Sequence, residues 1–145
     1  MRRALLIAAF TAVAFTVSAC GEGEPQTSRP VDLPYFHGFG CEGAGVTLLE
    51  MASFFGEFEP AEASLEDAAT FRAMGVALTT AADLPDESAL ADGVPPTAQA
   101  IYAVGVTSGD LADVIESGGA AQEIEDQTSI LGADATRAVE ECGLD

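Results

Sequence analysis

Lysine and tryptophan are absent from this chain of 145 residues, and histidine occurs once. Each gap closes off a class of function. The five basic residues are all arginines, set against 24 acids for a net charge of −19. Binding to nucleic acid depends on clustered Lys and Arg neutralising phosphates, so this balance excludes it. Anionic lipid headgroups are repelled for the same reason. With no Trp and only two Tyr, no aromatic platform exists for a sugar cleft with paired catalytic carboxylates. His37 would have to serve any His-dependent triad or general base. No G-x-S-x-G turn accompanies it, and it reads as a loop imidazole of no special role. One His without a free Cys pair also cannot build a His-ligated metal site. Runs of β-branched alternation and strand-flanked hairpin dipeptides are missing too, so no sheet is expected.

What is present begins with targeting. Arg2 and Arg3 precede an uncharged run from Ala4 to Val17. That run is shorter than the roughly 20 residues a membrane-spanning helix needs, and its layout is that of a secretory signal peptide. It ends in Val17-Ser18-Ala19-Cys20, which resembles the lipobox of bacterial lipoproteins: an aliphatic residue and two small ones ahead of Cys. The resemblance covers residues 1–21. It implies transfer of a diacylglyceryl group to the Cys20 thiol, removal of a signal peptide spanning residues 1–19, acylation of the new amino group, and anchoring on the extracytoplasmic face of the cell membrane. Two or more chains make the anchor stable where one is marginal. The competing reading is an ordinary signal peptide with a cysteine nearby. The paired arginines do not favour twin-arginine export, since nothing polar precedes them.

Once the first 19 residues leave, three arginines face 24 carboxylates, a net of −21. Such a charge keeps a protein soluble and holds it off the membrane surface; it also suits a basic envelope protein as partner. The lack of Lys beside abundant Ala, Gly and Arg fits a high-GC genome or a salty habitat. With Cys20 acylated, Cys41 and Cys142 remain as a pair in an oxidising compartment, where disulfides persist.

Residues 20–40 are rich in Gly, Pro and polar groups and read as a tether. About 20 flexible residues hold a domain roughly 25 Å from its anchor. Its aromatic end, Tyr35-Phe36-His37-Gly38-Phe39, is expected to fold back onto the domain. From Cys41 to Asp145 the apolar spacing is helical. Leu48, Met51/Ala52, Phe55 and Phe58 predict a first helix over about 44–58. Ser64 and Asp67 form a capping box for a second, carrying Ala68, Phe71, Met74, Leu78 and Ala82. Pro95-Pro96 opens a third, with Ile101, Val104, Ser108, Leu111 and Ile115 along its face and Gly105 and Gly109 as points where it kinks or splits. Gly118-Gly119 stops it. A fourth runs from about Asp126 to a Gly143 C-cap. The expected fold is all-α, an up-down-up-down four-helix bundle. In that order the start of the first helix and the end of the last share one end, where Cys41 and Cys142 can meet. The two cysteine positions and this layout loosely resemble small secreted or lipid-anchored helical proteins of actinobacteria, a group with no assigned activity.

Three further motifs invite chemistry. Gly38-Phe39-Gly40-Cys41-Glu42-Gly43 spells G-x-G-x-x-G, but no strand precedes it, no βαβ unit follows, and Glu42 would repel phosphate. It reads as a hinge. Asp83, Asp86, Glu87 and Asp92 cluster in one loop, and Glu123, Glu125 and Asp126 in another; neither matches a calcium loop. Acids in a first helical turn already account for Glu125 and Asp126 through the helix dipole. No catalytic residue, metal or cofactor is therefore expected, and the chain reads as a non-enzymatic interaction or accessory lipoprotein of the cell envelope. The alternative is a binding protein for a small apolar ligand or cation, with Phe54, Phe55, Phe58, Phe71 and Met74 around a cavity.

Overall fold

The computed structural model describes residues 33–84 and 93–144, all within one compact unit, Val31–Asp145. Residues 1–32, which include the signal segment, Cys20 and most of the tether, lie outside the described residues, as do Asp86, Glu87 and Asp92. Four α-helices follow one another: α1 Gly40–Phe55, α2 Leu65–Ala81, α3 Pro96–Glu116 and α4 Ala121–Cys142, with a 3₁₀ turn at Pro60–Glu62. No strand occurs among the described residues. The fold is all-α, and its helices share one core closed by the Cys41–Cys142 disulfide. That closure is consistent with up-down-up-down order.

Local chemistry fixes the ends of these helices. The Ser64 hydroxyl accepts from the Asp67 N–H (3.3 Å), and the Asp67 carboxylate accepts from the Ser64 N–H (2.8 Å). This is the capping box the sequence predicts, and it satisfies N–H groups that the first turn leaves unpaired. Pro96 opens α3 behind Pro95. Gly143 closes α4 in the left-handed region at φ 63°. There the Gly143 N–H donates to Glu140 O (3.1 Å) and the Leu144 N–H to Val139 O (3.0 Å). Gly118 (φ 75°) ends α3 in the same way, with Gly119 N–H donating to Val114 O at 2.9 Å.

Two helix boundaries differ from expectation. Helix α1 runs from Gly40 to Phe55, not 44–58. The chain turns at Gly56, and Phe58 returns to the core from an extended loop, so its spacing imitated one more helical turn. Helix α4 starts at Ala121, five residues before Asp126. Its first turn carries a single core residue, Ile124, which is 5% exposed and flanked by acids. The first-turn acid is therefore Glu123. Glu125 and Asp126 sit in the second turn, beyond the reach of the dipole, and Asp126 instead accepts a hydrogen bond from Gln122 at 3.0 Å.

The core residues of α2 and α3 follow the expected stripes. Ala68, Phe71, Met74 and Leu78 on α2 meet Ile101, Val104, Leu111 and Ile115 on α3, all buried. These two helices form the most extensive interface among the described elements. Helix α3 is unbroken through Gly105 and Gly109, and Gly105 serves a close approach to α2 in place of a kink. A Cβ on Gly75 would lie 2.7 Å from Gly105 O, and one on Gly105 would lie 2.8 Å from Gly75 O and 2.6 Å from the Thr79 methyl. The two backbones touch because neither residue has a side chain. Next to this contact the buried Ser108 hydroxyl donates to Phe71 O at 2.7 Å. A Cβ on Gly109, by contrast, meets nothing.

The glycines therefore separate into two kinds. Gly75→Ala or Gly105→Ala should each destabilise the protein by about 1–3 kcal/mol through overpacking. Gly109→Ala should be neutral or stabilise by up to about 1 kcal/mol, the helix-propensity gain alone. Denaturant unfolding of the three variants against the parent checks both signs.

Candidate functional site

Helix α1 is attached differently from the other three. Its inner face buries Ala44, Thr47, Leu48 and Met51, and Phe54, Phe55 and Phe58 converge on Phe71 from its C-terminal end. The Phe54–Phe71 and Phe58–Phe71 rings meet edge to face at 5.0 Å, and the Phe55 ring lies tilted against Phe71 at 5.6 Å. Such contacts are favourable for aromatic pairs. Phe71 and Met74 are at most 2% exposed. The five residues considered for a ligand cavity thus pack on one another as part of the core.

The segment before α1 lies back on the domain, as its aromatic composition predicts. Tyr35 and Phe36 are packed against the core, and the Thr47 hydroxyl donates to Tyr35 O at 2.6 Å. His37 Nε2 lies 2.9 Å from Glu50 Oε2 on the surface. Each glycine of the G-x-G-x-x-G motif has a steric duty here. Gly38 and Gly40 take positive φ (132° and 67°), where other residues are strained, and a Cβ on Gly43 would collide with the Gly38 carbonyl. The motif makes a tight entry into α1.

Cys41 and Cys142 are bonded, with Cα atoms 5.4 Å apart across a sequence separation of 101. They join the first turn of α1 to the last turn of α4. Between these two helices there is otherwise little direct packing, and an apolar groove opens. One part, about 360 Å³, is lined by Glu42, Gly45, Val46, Leu48, Leu49, Ala52, Val139 and Leu144. An adjoining part, about 430 Å³, shares Leu48, Ala52 and Val139 and continues past Met51 and Phe55 to Gly132, Ala135 and Thr136. Leu49 is 73% exposed, and Val46 and Leu144 are 42% exposed. The Gly143 cap turns Leu144 back over Gly45, where a Cβ would stand 3.0 Å from the leucine methyl. Sequence reasoning missed this groove. Its signal was that Val46, Leu49 and Ala52 form a second apolar line on α1 beside the core stripe, which leaves that helix without a broad polar face.

The charged groups are arranged simply. Arg72 on α2 reaches Glu116 on α3 with two nitrogens (3.2 and 2.8 Å) and Asp113 with one (2.6 Å). Hydrogen bonding to Glu116, then to Asp113, raises its pKa above the ordinary arginine value. Thr107 on α3 donates to Asp134 on α4 at 2.6 Å. Of the carboxylate loop only Asp83 is described, exposed at φ 52° just after α2. Among the described residues no group of three or more His, Cys, Asp or Glu side chains could hold a metal ion, and no helix is long and apolar enough to cross a membrane.

No protein-family model matches the chain, and neither a curated protein nor a solved structure matches it.

Because the disulfide closes a loop of about 100 residues, the chain-entropy model gives it up to about 4.7 kcal/mol. Cys41→Ser should lower stability by about 2–5 kcal/mol, with Cys142→Ser the same within error. Reductant should shift the unfolding midpoint of the parent and leave both variants unmoved.

Proposed function

We propose that the chain is an extracytoplasmic lipoprotein, anchored through lipid on Cys20, whose tethered helical domain acts by binding a partner and not by catalysis. Val17-Ser18-Ala19-Cys20 carries this reading, because it follows a basic start and a short apolar run and precedes a Gly/Pro-rich stretch. The pairing of the other two cysteines supports it, since disulfides persist in oxidising compartments. So does the acidic balance, which keeps the domain clear of anionic headgroups while lipid alone holds it to the membrane. An interaction role fits a negatively charged domain that presents an open apolar groove, as contiguous exposed apolar patches mark binding surfaces.

Mass spectrometry of the protein extracted from membranes, without reductant, tests the anchor. The expected mass is that of residues 20–145 plus acyl chains, less two hydrogens for the disulfide. Cys20→Ala should release the protein from the membrane fraction. A lipid-free mass from the parent would remove the anchor and leave a secreted domain.

A further inference from the structure

We propose that the α1–α4 groove is a docking site for a basic amphipathic helix, one whose apolar stripe is flanked by Lys or Arg. This rests on reading the protein as an interaction module, and names the chemistry of its partner. The groove follows α1 from Glu42 to Phe55, about 20 Å at 1.5 Å per residue. That length suits a helix of three to four turns laid in by its apolar face. Leu49, the most exposed large apolar side chain among the described residues, stands on the groove wall and supplies no core contact that would explain its hydrophobicity.

Charge selects the occupant. The described residues hold 17 carboxylates and two arginines, a net of −15 with His37 neutral. Arg72 is already engaged by Glu116 and Asp113. Glu42 lines the groove itself, and the exposed Glu140 and Glu141 follow Val139 on the last turn of α4. Arg137, on the preceding turn, is exposed and is the other described cation. A second copy of the chain would bring the same negative charge to the same face and be repelled. Residues 20–32 are rich in Gly, Pro and Glu and contain no apolar stripe to fill the groove. A cationic helix meets both requirements, with apolar contact along the floor, Glu42 in the lining and a net negative domain around it.

The test uses the protein as recovered from cells, in phosphatidylcholine nanodiscs if acylated and in buffer if not, so that failure of the anchor and failure of the groove are read separately. The probe is a synthetic four-turn helix of Leu and Lys, with a Leu/Glu helix of the same pattern as control, and binding is followed by fluorescence anisotropy. The Leu/Lys helix should bind at least tenfold tighter than the Leu/Glu helix. Leu49→Glu should weaken it at least tenfold even though the change adds negative charge, which would strengthen mere charge attraction. Leu65→Glu, at a position equally exposed (70%) but off the groove, should stay within twofold. Replacing Glu42 and Glu140 by Gln should weaken binding severalfold and flatten its salt dependence. Unchanged binding by Leu49→Glu, equal binding of the Leu/Glu helix, or a self-association that Leu49→Glu abolishes would each overturn the assignment.

Discussion

Two glycines hold the architecture in place. Gly75 and Gly105 let the backbones of α2 and α3 touch, and that approach positions Ser108 to donate to Phe71 O inside the core. A hydroxyl buried there needs its partner, since an unsatisfied one costs about 1–3 kcal/mol. The same approach sets Phe71 at the centre of the aromatic cluster and aligns Leu78, Ile101, Val104 and Leu111 as one apolar layer. At the open end of this pair Arg72 links to Glu116 and Asp113, a surface contact that adds direction more than stability.

The other two helices depend on this pair to different degrees. Helix α4 packs along α3, buries Ile124, Leu131 and Ala138, and is tied by the Thr107–Asp134 hydrogen bond. Helix α1 rests on α2 through its phenylalanines and reaches α4 mainly through the disulfide. A covalent bond at one end allows the two helices to stay apart along the rest of their length without α1 being lost. The groove is a consequence of that arrangement. Its walls remain apolar because α1 carries hydrophobic residues on its outer face as well as its inner one, so a stable fold and an exposed apolar line come from the same helix.

How much of this was readable from the residues follows from how local each signal is. Ser64 with Asp67, Pro95-Pro96 and Gly143 were legible because each acts within a turn on the backbone beside it. The buried stripes of α2 and α3 were legible because their period is strict. The start of α4 was not, since a single Ile124 among acids gives no period. The end of α1 was overrun because Phe58 reaches the core from a loop at helical spacing. Gly105 and Gly109 look alike in sequence, yet one admits a neighbouring backbone and the other faces open space; only the position of α2 tells them apart. The Cys41–Cys142 pair was legible once Cys20 was set aside for lipid. The groove was not, because it lies between α1 and α4, and how far apart two helices stand is not recorded by a local signal on either one.

Native-state hydrogen exchange, with the disulfide intact and then reduced, tests most directly whether the glycine-paired α2–α3 unit is the stable centre and α1 a helix held largely from its end. Amides of α2 and α3 should exchange slowest in both states, while α1 should lose protection on reduction well before them. Equal loss of protection across all four helices, or an α1 as slow as α2 after reduction, would contradict that arrangement.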